Sequence, residues 1–336
     1  MKRTLVLLLA LWLVVGCGRE PTTTPDLVAT QVAVMEAAAV TLTAEAPTAA
    51  ATSTASPTST VGPTATRPVL PTPPPPTVTE PAPPVGPILG QFAVVNVASD
   101  DVLNVRTRPG VVHPIVGTIP YYGLDVEVHA GGQKVTGSWW VPVEYESVVG
   151  WVNSNYLARQ AGWLNEAVAA RAAQIIMALK DRDLQELSSL AHPDEGVRFS
   201  PYTYVRTVPG AHGGQDLVFS AAQIPGLWSD PTVYHWGTVE GSGQPIDLTF
   251  SGYYDQFIYD LDFARPDVVG FDQTIGRGST INNIADVYPD AVSVEYHFEG
   301  FDPQVAGFDW KSLRLVLEKT GGSWYLVGIV HDEWTP

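Results

Sequence analysis

The sequence predicts a multidomain chain: a disordered Pro/Thr/Ala-rich linker, then a small all-β barrel, then an α+β domain of helices packed on a curved, mostly antiparallel sheet. Three observations predict it. Of the 29 prolines in 336 residues, 15 fall between Pro21 and Pro87 among Thr, Ala, Ser and Val, a composition that cannot bury a core. Over residues 88–160, short apolar or alternating runs recur between turn residues at the spacing of a small barrel. From residue 161 onward helical stripes come first and strands follow, the order of an α+β layout.

The amino-terminal end gives the expected location. Lys2 and Arg3 open the chain, an apolar run extends from Leu5 to Val15, and the small Gly16 precedes Cys17, so residues 1–16 read as a signal peptide. As a helix, the twelve residues from Leu5 to Gly16 would span about 18 Å against about 30 Å of hydrocarbon, which disfavours a transmembrane helix. Val14-Val15-Gly16-Cys17 resembles the lipoprotein box of bacterial lipoproteins. That resemblance implies cleavage before Cys17, lipidation of its thiol, and attachment to the membrane of a bacterial cell envelope with the folded parts outside the cytoplasm. Each buried acyl methylene would contribute about 0.8 kcal/mol. The alternative is a secreted chain with an ordinary free Cys17.

Residues 17–87 then form the expected linker. Asp26 to Ala46 lacks proline and carries Leu27, Val34, Met35, Ala38 and Leu42 at near-helical spacing, a candidate short helix over 26–46 or a transient one within the linker. The run Pro73-Pro74-Pro75-Pro76 favours polyproline II. At about 3.1 Å per residue, such a tether reaches on the order of 100 Å from its anchor.

Charge and cysteine content exclude several function classes. The formal charge is −17, and residues 161–336 hold 10 basic against 24 acidic groups, so the acidity belongs to the last domain. A phosphate backbone would be repelled, which makes nucleic acid an improbable partner. The same acidity argues against attachment of that domain to anionic lipid or wall polymers. A single cysteine rules out an internal disulfide and a Cys-based zinc cluster, and removes a cysteine nucleophile unless Cys17 stays free. No cofactor and no metal site are expected.

Within residues 88–160 the expected strands are Phe92–Val97, Ile115–Ile119, Leu124–Val128, Trp139–Val143 and Gly150–Val152. Pro142 lacks an N–H, which places its strand at an edge or on a bulge. Side chains alternate along a strand, so one of Trp139 and Trp140 enters the small core and the other is left to stack on a ligand. Asn104 and Arg106 share a face, and with Tyr121, Tyr122 and Tyr156 they offer hydrogen bonds to a peptide backbone or carboxylate. The competing reading is that Arg106 ties down a loop and the tyrosines cap the barrel.

The motifs Leu103-Asn104-Val105-Arg106-Thr107-Arg108-Pro109-Gly110, Gly117-Thr118-Ile119-Pro120, Trp139-Trp140-Val141 and Gly150-Trp151-Val152-Asn153-Ser154-Asn155-Tyr156-Leu157 occur in order over about 60 residues. This stretch resembles the bacterial SH3-type (SH3b) domain. The resemblance implies an SH3-like barrel and a role in binding peptidoglycan, particularly its peptides, or another extracellular ligand.

For residues 161–336, Leu164, Val168, Ala172, Ile175, Ile176 and Leu179 mark one face of a helix over Trp163–Lys180. Asp183 caps a second helix with Glu186 three residues on, Leu184, Leu187 and Leu190 face inward, and His192-Pro193 ends it. Strands are expected at 246–250, 292–298, 312–318 and 324–330, the last two joined through Thr320-Gly321-Gly322. The pattern from Asp183-Leu184 to Pro193, with the terminal hairpin, resembles the nuclear-transport-factor-2-like (cystatin-like) fold. That scaffold hosts many activities, so no activity is carried over.

The chain has no HExxH, G-x-S-x-G, S-x-x-K or Walker motif. What remains is a candidate cleft of polar and aromatic residues: Tyr202, Tyr204, His235, Trp236, Asp255, His297, His331 and Asp332. Converging histidines and carboxylates would make an acid/base or metal site, whereas separate ones would be satisfied structural groups. Asp260, Asp262, Asp267 and Asp272 read as solvated loop acids, since no calcium-loop order is present. The expected function is therefore a lipid-anchored envelope protein displaying two binding modules, with an envelope hydrolase or lyase as the alternative.

Overall fold

Alternation of small β-branched residues with polar ones builds the first part of the chain. In the computed structural model, which describes residues 86–163, 165–209 and 214–335, seven strands precede the first helix-like turn. They are β1 (Ile88–Val94), β2 (Val102–Arg106), β3 (Ile115–Pro120), β4 (Val126–His129), β5 (Gln133–Val135), β6 (Ser138–Tyr145) and β7 (Val148–Asn153). A 3₁₀ turn at Ser154–Tyr156 leads into β8 (Leu157–Gly162). Leu103 and Val105 of β2, Ile119 of β3, Val126 and Val128 of β4, and Val143 and Val152 turn to one side and form a single apolar cluster. Gly150 is required where β7 crosses β2, because a Cβ there would come within 2.6 Å of the Arg106 carbonyl oxygen. The signal peptide, Cys17, the candidate helix over 26–46 and the linker up to residue 85 lie outside the described residues, whereas Gly86 and Pro87, expected to end the linker, contact His129 and Ala130.

Pro142 does not mark an edge strand. β6 pairs with β7 through Pro142 itself, opposite Trp151. On its other side the ladder to β4 runs through Val143 and Glu144, and the ladder to β5 begins at Trp140. Pro142 sits in the break between these two ladders, where a missing N–H costs no hydrogen bond.

The second part opens with α1 (Glu166–Lys180), whose capping residue Asn165 accepts the Val168 amide at 3.2 Å. Val168, Ala172, Ile175, Ile176 and Leu179 are its buried stripe, as their spacing predicts. In α2 (Leu184–Leu190) the Asp183 carboxylate accepts the amides of Gln185 and Glu186, and the three leucines are buried. There follow β9 (Val197–Ser200), β10 (Leu217–Phe219), β11 (Tyr234–Thr238), β12 (Pro245–Leu248), α3 (Phe250–Phe257), β13 (Val268–Phe271), α4 (Ile284–Val287), β14 (Val292–Phe298), β15 (Lys311–Thr320) and β16 (Ser323–Glu333). Phe250, expected to end a strand, instead begins α3. Thr249 caps that helix, and Phe250, Tyr253, Tyr254 and Phe257 are buried at helical spacing. Gly321 and Gly322, both at positive φ, form the two-residue turn between β15 and β16.

The molecule is mostly β, with few helices and one large mixed sheet in the order β10-β9-β16-β15-β14-β13-β8-β1-β4-β6-β7-β2-β3. β8 is the link. Its Arg159 pairs with Phe92 of β1, antiparallel, and with Val268 of β13, parallel. β11 and β12 form a separate small ladder. On one side of the second part's strands, the helices and an aromatic group around Phe199, Trp236 and Phe250 make the main core. On the other side Val316, Val327 and Val330 pack with Val205, Ile284 and Tyr288. Among the described residues no helix is long and apolar enough to cross a membrane.

Candidate functional site

Four of the residues expected to bind a ligand meet in one groove of about 220 Å³: Asn104, Arg106, Trp140 and Tyr156. Strand alternation explains the first pair, since Leu103 and Val105 take the core side of β2 and leave Asn104 and Arg106 on the other. Trp140, on β6 opposite Asn153 of β7, contributes a broad apolar wall. Tyr156 arrives from the 3₁₀ turn, which Asn153 caps by accepting the Asn155 amide at 3.1 Å. Asp101 lines the same groove, so it carries one charge of each sign. Among the described residues, neither the Asn104 amide nor the Tyr156 hydroxyl has a protein hydrogen-bond partner. Arg106 also ties a loop, as the competing reading holds, by donating from Nη1 to the His113 carbonyl at 2.7 Å.

Trp139 and Tyr121 do not join them. Trp140 is the buried tryptophan and also the one in the groove, so the expected division between a core and a ligand-facing ring is not what occurs. Trp139 is half-buried opposite Lys134 of β5. Tyr121 stands edge-on to Tyr122, with centroids 4.9 Å apart, and accepts a hydrogen bond from Gln174 of α1 at 3.3 Å. These tyrosines border a shallower depression beside Thr118 and Tyr145.

The cleft expected in the second part does not assemble. Trp236 is wholly buried and stacks on Tyr253 at 3.7 Å, and Tyr202 is buried against Phe257; both are core residues. Tyr204 is exposed. His235 pairs with Asp247 at 2.7 Å and Asp255 with Arg182 at 2.8 Å, both at the surface. His331 and Asp332 are neighbours on β16 and therefore point to opposite sides of the sheet. His331 Nε2 lies 3.5 Å from Asp260 Oδ1, and Asp260 and Glu333 both hold Lys311. Of the other loop acids, Asp262 accepts the Tyr259 hydroxyl and Asp267 accepts the Glu299 amide.

Asp332 belongs to a buried charge network that single-residue reasoning does not reveal. Glu295 of β14 is in register with Arg314 of β15, and Ser312 with Asp332 of β16. Arg314 donates to Glu295 at 3.0 Å, to Asp332 at 2.8 Å, to the Thr203 hydroxyl at 2.8 Å and to the Gly276 carbonyl at 2.8 Å. Glu295 accepts the Ile275 and Gly276 amides and the Ser312 hydroxyl, and Ser312 also contacts His297 Nδ1 at 2.9 Å. Burial lowers the Arg314 pKa, but the two carboxylates outweigh it and hold it above its usual range. Burial pushes Asp332 up to about 6 against the pull of Arg314. His297 is pushed below its ordinary value by burial, which Glu295 only partly opposes. A cavity of about 360 Å³ opens above this network, lined by Thr203, Arg277, Thr280, Asn282 and Asp332. The sequence signal was the polar set Ser293, Glu295, His297, Ser312 and Arg314 at every second position of otherwise apolar strands.

No protein-family model matches this chain, and no curated protein matches it in sequence.

The two regions offer different chemistry. The groove combines an indole wall, a cation, an anion and unpartnered amide and hydroxyl groups, a set suited to an extended polar ligand such as a peptide. The network below the second cavity is already satisfied internally and fixes the segment around Gly276 to the sheet.

Proposed function

We propose that this is a lipid-anchored protein of the bacterial cell envelope, held in the membrane through Cys17 and presenting its folded parts beyond the Pro/Thr/Ala-rich segment. Its first folded part is read as an SH3-type barrel that binds peptidoglycan peptide or a related extracellular peptide. The observation that carries this reading is the meeting of Asn104, Arg106, Trp140 and Tyr156 in one groove. Two of these residues keep polar atoms without protein partners, so a ligand would replace only water there. The second part, acidic and akin in element order to the nuclear-transport-factor-2-like fold, serves as a partner- or ligand-binding module with the cavity beside Asp332 as its contact point.

The envelope hydrolase or lyase reading has less support. His235 and Asp255 sit in separate exposed pairs and His331 lies against Asp260, while His297 and Asp332 share one network but are joined only through Ser312, Glu295 and Arg314; general acid/base work needs such groups within reach of one bound substrate.

Co-sedimentation of the full chain with purified peptidoglycan tests the binding role. The chain is expected in the pellet, and Trp140→Ala is expected to shift it to the supernatant. Pelleting no greater than that of an acidic control protein would remove the wall-binding assignment.

A further inference from the structure

We propose that Glu127, His129 and Glu144 form a binding site for a first-row divalent cation such as Zn²⁺. The site is independent of the groove, since none of the three residues lines it. Glu127 and His129 are two residues apart on β4 and so face the same side, and Glu144 of β6 stands directly opposite Glu127 in the ladder. One potential ligand atom from each lies within 4.8 Å of the other two. Around a tetrahedral ion with bonds of about 2.1 Å, ligand atoms stand about 3.4 Å apart. Side-chain rotation of the two half-buried glutamates closes that difference.

Three observations separate this cluster from ordinary surface acidity. First, His129 is only 8% exposed, and its Nε2 is buried without any hydrogen-bond partner. Second, its Nδ1 lies 3.2 Å from the Gly86 carbonyl, which accepts the Nδ1 proton and leaves the unpartnered Nε2 with a free lone pair. A backbone carbonyl on the remote ring nitrogen is the usual means of orienting a metal-bound histidine. Third, two carboxylates directly opposed on neighbouring strands repel each other, and among the described residues no Lys or Arg pairs with either. A dication between them reverses that repulsion.

The donor set selects the ion. One imidazole and two carboxylates suit a borderline transition ion with an open position for water, whereas Ca²⁺ asks for six to eight oxygens. The similar grouping of His192, Glu195 and Glu318 lacks the free nitrogen. There Nε2 contacts the Thr320 hydroxyl at 3.0 Å and Nδ1 accepts the Glu195 amide at 3.1 Å.

The test is calorimetric titration of the untagged full chain with Zn²⁺ after chelator treatment. One saturable equivalent is expected, weakened at least tenfold by His129→Gln and by Glu144→Gln and unchanged by His192→Gln. Should His129→Gln not fold, Glu127→Gln, on the partly exposed rim, carries the same expectation. Absence of saturable binding, or wild-type affinity in the folded Glu127→Gln and Glu144→Gln variants, would overturn the site.

Discussion

Arg314 and Glu295 face each other across β14 and β15 with Nε 3.0 Å from Oε2, their side chains 1% and 0% exposed. Desolvating two such charges is offset only because every remaining proton and lone pair finds a partner, including Asp332, Thr203 and the backbone at Gly276. Removing Glu295 leaves Arg314 buried with Asp332 as its remaining carboxylate and strips the Ile275 and Gly276 amides of their acceptor. Glu295→Ala is therefore expected to destabilise the chain by about 3–5 kcal/mol. Asp255→Ala, which breaks the exposed pair with Arg182, is expected to cost less than about 1 kcal/mol. Urea denaturation of both variants checks the contrast, and equal losses would refute it.

The same network makes stability depend on pH through Asp332. Burial raises its pKa from the ordinary 3.8 to about 6, so the folded chain holds this proton more tightly than the unfolded chain. The sign follows from linkage: the group's contribution is complete below about pH 4 and is lost as pH rises to about 6. Asn mimics the protonated carboxyl at every pH. The stability of wild type relative to Asp332→Asn should thus fall by on the order of 2–3 kcal/mol between pH 4 and 7. A difference that stays flat over that range would contradict the assignment.

Much of this architecture was legible where a local pattern is sufficient. The stripe of α1, the Asp183 cap of α2 and the Gly321-Gly322 turn all lie within a few residues of the structure they specify. Helix α3 is masked by a strand-like pattern at its start, although Phe250, Tyr253, Tyr254 and Phe257 recur at three- and four-residue steps. The five residues from Ile246 to Phe250 alternate as a strand does, and the aromatics beyond them also suit a pocket wall. The groove was partly legible, because alternation alone pairs Asn104 with Arg106. Trp140 and Tyr156 were legible by their chemistry too, but Tyr121 and Trp139, with the same chemistry, are set elsewhere by tertiary packing. The Arg314 network depends on the register of three strands, which no single segment encodes.

The anchor yields a cellular prediction. Cys17→Ser should abolish lipidation and move the protein from the membrane fraction to the soluble envelope fraction. Fractionation with mass spectrometry of the mature terminus checks it, and unchanged membrane partitioning would remove the lipid anchor from the account.

Titration of the isotopically labelled chain with a soluble peptidoglycan stem peptide, followed by nuclear magnetic resonance, tests the groove most directly. The side-chain amide of Asn104 and the indole of Trp140 should shift saturably, and Asn104→Ala with Tyr156→Phe should weaken binding at least tenfold while leaving the fold intact. Saturable shifts confined to residues outside the groove, or no shifts at millimolar peptide, would contradict the assignment.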